Sequence, residues 1–379
     1  MEWGSRVGIK RTIKQFVLRF DITRDSLSWL ARRHCPILMY HRFGEGSREI
    51  SAQTFACQLD VIKHSFNVLP LVEFCRQRRE GRTDWRKCCV ITVDDGYRDF
   101  YQIAYPALRE RRLPATLFVT TGFLNREIWL WWDVIDYLVS TTALSSATLE
   151  CGGKEIHLDL TTPQGRKSGW DAVASLCTRI NNSDKQLILN RLAETLHVSV
   201  PQVPTERYAS CSVEELKEMA EHEISFGPHS VNHPVLSRCE PDEWKREISD
   251  SRRHLSARAK GYVDVFAYPS GTKEDYNKGM EAFIESAGFD AAVAAHCDDF
   301  LNESQFCLRR CSPSRDLVDF LWTLNGGEYL RCRLSEPLKV MMRGLKHALF
   351  PRGKHAPSMN GSGEDRKTNA KGFKDATLL

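Results

Sequence analysis

Short, continuously apolar segments alternate with amphipathic helical patterns through the middle of this chain. A strand that is apolar along its whole length has no solvent-facing side, so it is typical of a parallel sheet that helices cover on both faces. Seven such segments favour a barrel over an open sheet. They are residues 37–40, 88–93, 115–120, 224–227, 263–268, 291–295 and 306–310. The sequence therefore predicts an α/β fold built on a parallel, barrel-like sheet.

The composition restricts the class of protein. A formal net charge of +4 over 379 residues is too balanced for a protein that binds phosphate backbones, so we expect no nucleic-acid partner. Thirteen cysteines without a CxxC pair predict mostly reduced, buried thiols. No signal-peptide core and no apolar run of roughly 18 residues is present. We therefore expect a cytoplasmic protein.

The two ends of the chain differ from its middle. Residues 9–20 and 337–350 place apolar side chains at helical spacing with lysines and arginines between them, which predicts basic amphipathic helices within residues 1–34 and 331–351. Such helices can pack on the domain with a solvated basic face, or they can contact an anionic membrane surface peripherally. Residues 352–379 are polar and are predicted to form a disordered tail.

Two adjacent carboxylates, Asp94 and Asp95, directly follow the apolar segment 88–93. Aspartate before glycine also suits an ordinary turn or helix cap, and that alternative stays open. In a parallel barrel, however, catalytic residues gather where strands end. Polar residues follow three other predicted strands, at His41, at His229 and at Pro269 with Ser270. These positions are predicted to share one cleft.

A pair of histidines, His229 and His233, lies four residues apart just after the segment 224–227. One turn of backbone lets both imidazoles face the same ion. Two histidines and one carboxylate form a catalytic ligand set that leaves positions open for water and substrate, suits zinc and admits other divalent ions. A coincidental pair of core or surface histidines is the alternative.

Taken together, the stretches "TVDDG" and "HSVNH" resemble the first two motifs of the polysaccharide deacetylase family, which consists of metal-dependent carbohydrate esterases. The resemblance runs from about Cys35 to Pro313 and includes "ILMYHRF" and "FAYPSG". It implies a distorted (β/α)7 barrel over residues 35–330, which here carries a mixed insertion at about 123–210. It also implies hydrolysis of an N-acetyl, or less often an O-acetyl, group on a sugar.

The resemblance also implies roles for single residues. Asp95 would join His229 and His233 as a metal ligand, and Asp94 would act as the general base. The family's usual late histidine, the general acid, is missing from "FCLRRCS". An exopolysaccharide-type branch carries that acid in an early segment similar to "LMYHRF", which makes His41 the candidate acid. The alternative role for His41 is to orient its loop.

The third motif is altered as well. Ala267 stands where the resemblance leads us to expect an arginine that braces the base, and Arg309 is the candidate replacement. Tyr268 and Pro269 are predicted to line the sugar site. A backbone N–H near Ser270 is predicted to stabilise the developing oxyanion, as the corresponding loop of the family does.

The predicted insertion opens with the aromatic stretch "REIWLWWDVIDYLV". Trp131, with Trp129 and Trp132, is a candidate platform on which sugar rings stack. Packing of the insertion on the barrel is the alternative, because aromatic clusters usually bury area.

Three classes of function follow from these residues. The favoured one is a metal-dependent hydrolase that removes an acetyl group from an N-acetylated saccharide. The others are an amidohydrolase that acts on a non-carbohydrate C–N bond, and a catalytically silent glycan-binding protein. A candidate base beside an open metal site favours an enzyme, since a binding module needs neither.

Overall fold

The computed structural model of the chain describes residues 14–15, 18–19, 21–46, 48–151, 153–298 and 303–334. The predicted C-terminal helix at 337–350 and the tail at 352–379 lie outside these residues, as does most of the predicted N-terminal segment 9–20. Of the helices that are described, none has the length and apolar content required to cross a lipid bilayer.

Helices and strands alternate along most of the described chain. In order they are α1 (Asp21–Leu30), β1 (Ile37–Tyr40), α2 (Ala52–Ser65), β2 (Asn67–Val68), α3 (Leu71–Arg79), β3 (Cys88–Val93), α4 (Tyr105–Arg111), β4 (Ala115–Val119), α5 (Trp131–Thr141), β5 (Ser146–Cys151), β6 (Lys154–Asp159), α6 (Pro163–Cys177), α7 (Asn182–Leu196), α8 (Val213–Ala220), β7 (Ile224–Pro228), α9 (Pro241–Arg258), β8 (Val265–Ala267), α10 (Lys278–Ser286), β9 (Ala291–Val293) and α11 (Leu317–Leu324). A π-helical turn, Phe100–Ala104, leads into α4.

The main sheet is parallel. Strands β1, β3, β4 and β7 lie side by side in that order, and the short β2 pairs with β3. Strands β8 and β9 form a second parallel pair, whereas β5 and β6 form an antiparallel hairpin. The prediction of an α/β fold with a mostly parallel sheet is confirmed.

Isolated parallel bridges extend these pairings. They join Phe226 to Tyr262, Val293 to Leu308, and Leu38 to Cys311. The predicted strand at 306–310 is therefore wrong as a strand: this segment is hydrogen-bonded to β9 at Leu308 and to β1 at Cys311, but no continuous ladder forms. Its carboxyl end nevertheless lies against β1.

Alternate residues of the strands pack into different apolar clusters, as the two-residue period of a strand requires. One cluster collects side chains from β1, β3, β4, β8, β9 and the segment after β9, among them Ile37, Val90, Phe118, Val265, Val293 and Leu308. A second cluster joins the intervening residues of β1, β3, β4 and β7 to the helices, among them Leu38, Ile91, Leu117, Phe226, Phe55 and Leu216. The intervening residues of β8 and β9, Phe266 and Ala292, pack in a third cluster. Both faces of the strands are covered, which explains their continuous apolar sequences.

Residues 131–196 have an apolar cluster of their own. It joins α5, the β5–β6 hairpin, α6 and α7 through buried side chains that include Ile135, Leu149, Leu158, Val173 and Leu192. Within it, β5 and β6 pair from Ser146 with Asp159 to Cys151 with Lys154.

The cysteines follow the predicted pattern with one exception. Eleven of the thirteen are free and most of these are buried, while Cys297 and Cys311 form a disulfide. This bond ties the chain after β9 to the segment that lies against β1.

Candidate metal centre

The end of β3 positions both predicted carboxylates. All six residues of β3 are buried, and Asp94 and Asp95, which follow directly, are only 2% and 4% exposed. The backbone N–H of Asp94 continues the parallel pairing by donating to the carbonyl of Tyr40 at 3.0 Å. Asp95 has a φ of +75°, in the left-handed region that non-glycine residues rarely adopt. The chain therefore turns sharply between the two carboxylates and gives them different neighbours.

The second of these carboxylates meets both predicted histidines. Asp95 Oδ1 lies 3.6 Å from His229 Nε2 and 3.5 Å from His233 Nε2, and the two imidazole nitrogens are 3.1 Å apart. Ligand atoms bonded to one tetrahedral zinc ion at about 2.0 to 2.1 Å lie about 3.3 to 3.5 Å from each other. All three side chains are buried, and their ligand atoms have the spacing of one divalent ion.

The protonation of these groups also fits a cation. Nδ1–H of His229 donates to the carbonyl of Ala267 at 2.8 Å, which leaves the lone pair of Nε2 directed to the cluster. Burial lowers the pKa of His229 to about 4 and the pKa of His233 well below its ordinary value, so both imidazoles are neutral. Burial, and then the nearby Asp94, raise the pKa of Asp95. A divalent ion would offset exactly this cost of burying a carboxylate.

The loop that carries the histidines is held by a residue from a separate helix. Glu247 of α9 accepts hydrogen bonds from the backbone N–H groups of Val231 (2.8 Å) and Asn232 (2.9 Å), and from the Asn232 side chain (2.7 Å). Ser230 and His233 both have left-handed φ angles, and the Ser230 hydroxyl accepts a hydrogen bond from the His233 N–H. Glu247 thus positions the ligand turn, and the sequence motifs had not indicated it.

The first carboxylate has a different partner. Arg310 is fully buried and donates two hydrogen bonds of 2.6 Å to the two oxygens of Asp94, while it also donates to Thr92 Oγ1 and to the carbonyl of Ala294. Burial by itself would raise the pKa of Asp94, but the positive charge of Arg310 outweighs it and lowers that pKa to about 2. Asp94 is therefore ionised at neutral pH.

This ion pair corrects the prediction for Arg309. The guanidinium of Arg309 bonds to the hydroxyl of Tyr276 at 2.7 Å and makes no bond to Asp94. Alternation explains the difference. Leu308 packs in the cluster of Ile37, Val90 and Val293, and Arg310 points to the same side and reaches Asp94, so Arg309 between them faces the other side. The apolar Leu308, two residues before Arg310, was the signal that could have identified the right arginine.

His41 lies where the sequence predicted, just after β1. Its Nε2 is 3.8 Å from Asp94 Oδ2, and the same oxygen is 4.0 Å from His229 Nε2. The side chain is 44% exposed, so His41 can reach a substrate. Desolvation lowers the pKa of His41 below its ordinary value, because the negative charge of Asp94 offsets only part of this effect. One oxygen of Asp94 thus lies within 4.0 Å of both His41 and His229.

The predicted substrate residues after β8 have different environments. Tyr268 is fully buried, donates to the carbonyl of Phe306 at 3.0 Å and stacks on Tyr276. Its prediction as a sugar-lining residue is wrong, because its ring belongs to the apolar core beneath the site. Pro269 is also buried, while Ser270 is partly exposed and has a left-handed φ of +58°.

Of the predicted tryptophans, Trp132 rather than Trp131 contacts the metal centre. Its ring packs edge-on against His233, with 4.6 Å between the ring centroids, and its Nε1–H donates to the hydroxyl of Tyr97. That hydroxyl in turn donates to the buried Asp133 at 2.6 Å. Trp131 instead lines a separate cavity with Lys185.

The chain is similar in sequence to known proteins over part of its length. The family model for polysaccharide deacetylase matches residues 81–148 and 187–292. The Bacillus subtilis (strain 168) protein YxkH, whose name assigns it provisionally to the polysaccharide deacetylases, is 22% identical over 274 residues, which are 71% of this chain and 68% of YxkH.

Two solved structures are also similar to this chain. The Streptococcus pyogenes deacetylase PplD, in complex with acetate, is 20% identical with a TM-score of 0.49, and the match covers 76% of this chain and 97% of PplD. IcaB from Ammonifex degensii is 17% identical with a TM-score of 0.49, and the match covers 77% of this chain and 96% of IcaB.

Proposed function

We propose that this chain, which matches the family model for polysaccharide deacetylase over residues 81–148 and 187–292, is a hydrolase of that family that acts on a carbon–nitrogen bond. It removes the acetyl group from an N-acetylated sugar of a glycan or glycan precursor with the help of a divalent metal ion. The observation that carries this proposal is the buried cluster of Asp95, His229 and His233 beside the ionised Asp94. Two imidazoles and one carboxylate suit zinc best.

The candidate ligands, Asp94 and Arg310 have different roles in the proposed hydrolysis. A divalent ion held by the three ligands would polarise the acetyl carbonyl and make a water molecule more acidic. Asp94 accepts the proton of the attacking water, because it is ionised and its Oδ2 faces the ligand cluster. Arg310 holds the carboxylate of Asp94 in place with two hydrogen bonds and keeps it ionised.

His41 donates a proton to the leaving amine. An amide needs this proton, whereas an acetyl ester with a good leaving group departs without it. We expect His41→Ala to lower the turnover of an N-acetylated oligosaccharide by about 10² to 10⁴-fold, and to hydrolyse an activated acetyl ester almost as fast as the unaltered protein. Steady-state kinetics on both substrates measure this. An equal loss on both would mean that His41 only orients the site.

We also propose that residues 35–330 form a distorted (β/α)7 barrel with an insertion at about 123–210. The parallel bridges from β7 to Tyr262, from β9 to Leu308 and from β1 to Cys311 support the barrel, because they carry the pairing from one edge of the main sheet towards the other. The insertion is supported by the separate apolar cluster of residues 131–196 and by the family match, which omits residues 149–186.

Cytoplasmic location and peripheral membrane contact stay predictions. They rest on the sequence pattern alone, in which lysines and arginines alternate with apolar side chains at residues 9–20 and 337–350.

The experiment that tests the proposed function measures acetate release by the purified chain from a panel of N-acetylated oligosaccharides, with added zinc and with a chelator. We expect release only with metal. Elemental analysis should find one divalent ion per chain, and His233→Ala should lose it together with the activity. His157→Ala, which removes an exposed histidine from the β5–β6 hairpin, is the matched control and should keep both. Equal metal content in the His233 variant and the unaltered chain would refute the ligand assignment.

A further inference from the structure

A cavity of about 400 Å³ lies between the start of α5 and one face of α7. Asn182, Lys185, Gln186, Leu189 and Asn190 line it at helical spacing, and Trp129 and Trp131 line the opposite side. Asn232, from the loop of His229 and His233, also lines the cavity, and the rest of its lining is apolar, from Ile128, Val134, Ala193 and Val200. The roles proposed above for the metal centre do not account for this cavity.

Lys185 is the unusual residue of this cavity. Its side chain is only 2% exposed, and its ammonium group lies 5.1 Å above the ring of Trp131. Within the described residues, this ammonium forms no hydrogen bond and no ion pair. Lysine is almost never fully buried unless it is paired, and burial here lowers the pKa of Lys185 from its ordinary value. The contact with the Trp131 face offsets only part of the cost of burial.

A second donor in the cavity also lacks a partner. Trp131 Nε1–H is buried and has no acceptor among the described residues. A buried donor without an acceptor is costly, and native proteins leave few of them. A cationic donor and a neutral donor therefore line the same cavity, and both would be satisfied by a ligand that carries an anionic group and further oxygen atoms.

The remaining lining suits a saccharide. Gln186 Nε2 donates to Asn190 Oδ1 at 3.0 Å, and Asn232 Nδ2 donates to Glu247 at 2.7 Å. The carboxamide oxygens of Gln186 and Asn232 and the N–H groups of Asn190 can still bond to sugar hydroxyls. The indoles of Trp129 and Trp131 supply large apolar surface with a polar edge. A concave site with aromatic walls and a few polar groups is the usual form of a small-molecule site.

The cavity borders the metal centre through two neighbours of its lining residues. Asn232 precedes the metal ligand His233, and Trp131 precedes Trp132, whose ring packs on His233. The segments that carry Asn232 and Trp131 therefore contribute to both the cavity and the candidate metal centre.

We propose that this cavity binds a saccharide unit that bears an anionic group, carboxylate or phosphate, next to the unit that is deacetylated. The place of this unit in the substrate rests on the proposed function, whereas its recognition rests on Lys185 and Trp131 alone. The ammonium of Lys185 pairs with the anionic group, and the indole N–H of Trp131 donates to an oxygen of the sugar.

Ligand-observed NMR titrations of the full-length chain without added metal test the proposal. The probes are glucuronate, glucose 6-phosphate, glucose and inorganic phosphate. We expect one or both acidic sugars to bind at least about tenfold more tightly than glucose, as one charge-assisted hydrogen bond allows, and the stronger of the two identifies the anionic group. Equal binding of acidic and neutral sugars would overturn the proposal, as would inorganic phosphate binding as tightly as glucose 6-phosphate.

Three variants locate the site. Lys185→Met should reduce the affinity for the acidic sugar to that for glucose, and Trp131→Phe, which keeps a ring but removes the N–H donor, should weaken both sugars alike. Lys278→Met, which removes a lysine that is 80% exposed on α10, is the charge-matched control and should change nothing. Circular dichroism verifies that each variant is folded. Unchanged affinity in the folded Lys185 variant would refute the proposal.

These titrations use sugars without an acetyl group and need no metal, so they do not depend on deacetylase activity. If the chain releases acetate but binds no acidic sugar, this inference fails and the proposed function stands. If it binds acidic sugars but releases no acetate, the proposed function fails.

Discussion

Two buried clusters of this protein leave polar groups unpaired, and they differ in the kind of group. At the candidate metal centre the atoms that face one another are acceptors, namely Asp95 Oδ1 and the Nε2 atoms of His229 and His233. In the cavity beside α7 they are donors: Trp131 Nε1–H is buried without an acceptor among the described residues, and the Lys185 ammonium lies over the Trp131 ring. Since a buried polar group is costly until a partner satisfies it, the first cluster is complementary to a cation and the second to an anion. Whether a cluster presents acceptors or donors thus indicates the charge of the ligand that it can bind.

The two clusters also differ in the strands and helices that carry their residues. The metal ligands follow the ends of β3 and β7, two strands that are buried in the parallel part of the fold. The donors belong to α5 and α7, which pack in a separate apolar cluster. A change of glycan preference could therefore arise in the helices without disturbing the groups proposed for catalysis.

The largest effect, on turnover, should come from replacing Asp94, the carboxylate that is paired with Arg310. Asp94→Asn removes the general base but no metal ligand, so we expect turnover to fall by about 10² to 10⁴-fold while metal content is unchanged. Acetate release and elemental analysis measure the two quantities. Asp95→Asn is the contrasting variant and should lose the metal as well. Loss of metal in both variants would remove the distinction between a paired base and an unpaired ligand.

The next largest effect should be on stability, when Asp94 loses its partner Arg310. Arg310→Met should lower the free energy of unfolding by about 3 to 5 kcal/mol, because Asp94 would remain as a buried, uncompensated charge. Arg309→Met is the matched control and should cost less, since Arg309 bonds to the neutral hydroxyl of Tyr276. Urea denaturation measures both. If the two variants are equally destabilised, the Asp94–Arg310 pair has no special role in stability.

A smaller effect should follow from loosening the ligand loop. Glu247→Gln replaces a carboxylate that accepts three hydrogen bonds from Val231 and Asn232, so we expect metal affinity to fall by about 10 to 100-fold. Competition with a chelating dye measures this affinity. Glu243→Gln, one turn earlier on α9, is the control. Unchanged affinity in the Glu247 variant would show that the histidine turn holds its shape without this carboxylate.

The smallest effect concerns the unpaired donor of the cavity. Lys185→Met removes a buried ammonium without an acceptor, so the variant should be more stable than the unaltered chain at pH 7, by about 1 kcal/mol. Urea denaturation at a series of pH values measures this. A less stable variant at pH 7 would show that the ammonium already has a stabilising partner.

The higher stability of the Lys185→Met variant, relative to the unaltered chain, should decrease as the pH rises. Since the pKa of Lys185 is lower in the folded chain, the unfolded chain binds more protons between that lowered pKa and the ordinary value. The stability of the unaltered chain, relative to the variant, therefore increases with pH across this window.

Much of the fold class and of the metal centre could be predicted from the sequence, because both depend on local patterns. The apolar run 88–93 indicates a strand buried on both faces, and the carboxylates that follow it come at its carboxyl end wherever the strand is placed. The four-residue spacing of His229 and His233 brings their imidazoles together through a single turn. His41 follows its own strand in the same way.

Other features were decided only by tertiary structure. Arg310 pairs with Asp94 across 216 residues of sequence. Whether Arg309 or Arg310 reaches Asp94 depends on which of them lies on the same side of the segment as the buried Leu308. Tyr268 and Lys185 are also both buried, but one is fully bonded within the core and the other lines a cavity without an acceptor. The sequence around these residues does not distinguish the two outcomes, because their partners come from distant elements. Only the packing of those elements brings the partners into contact.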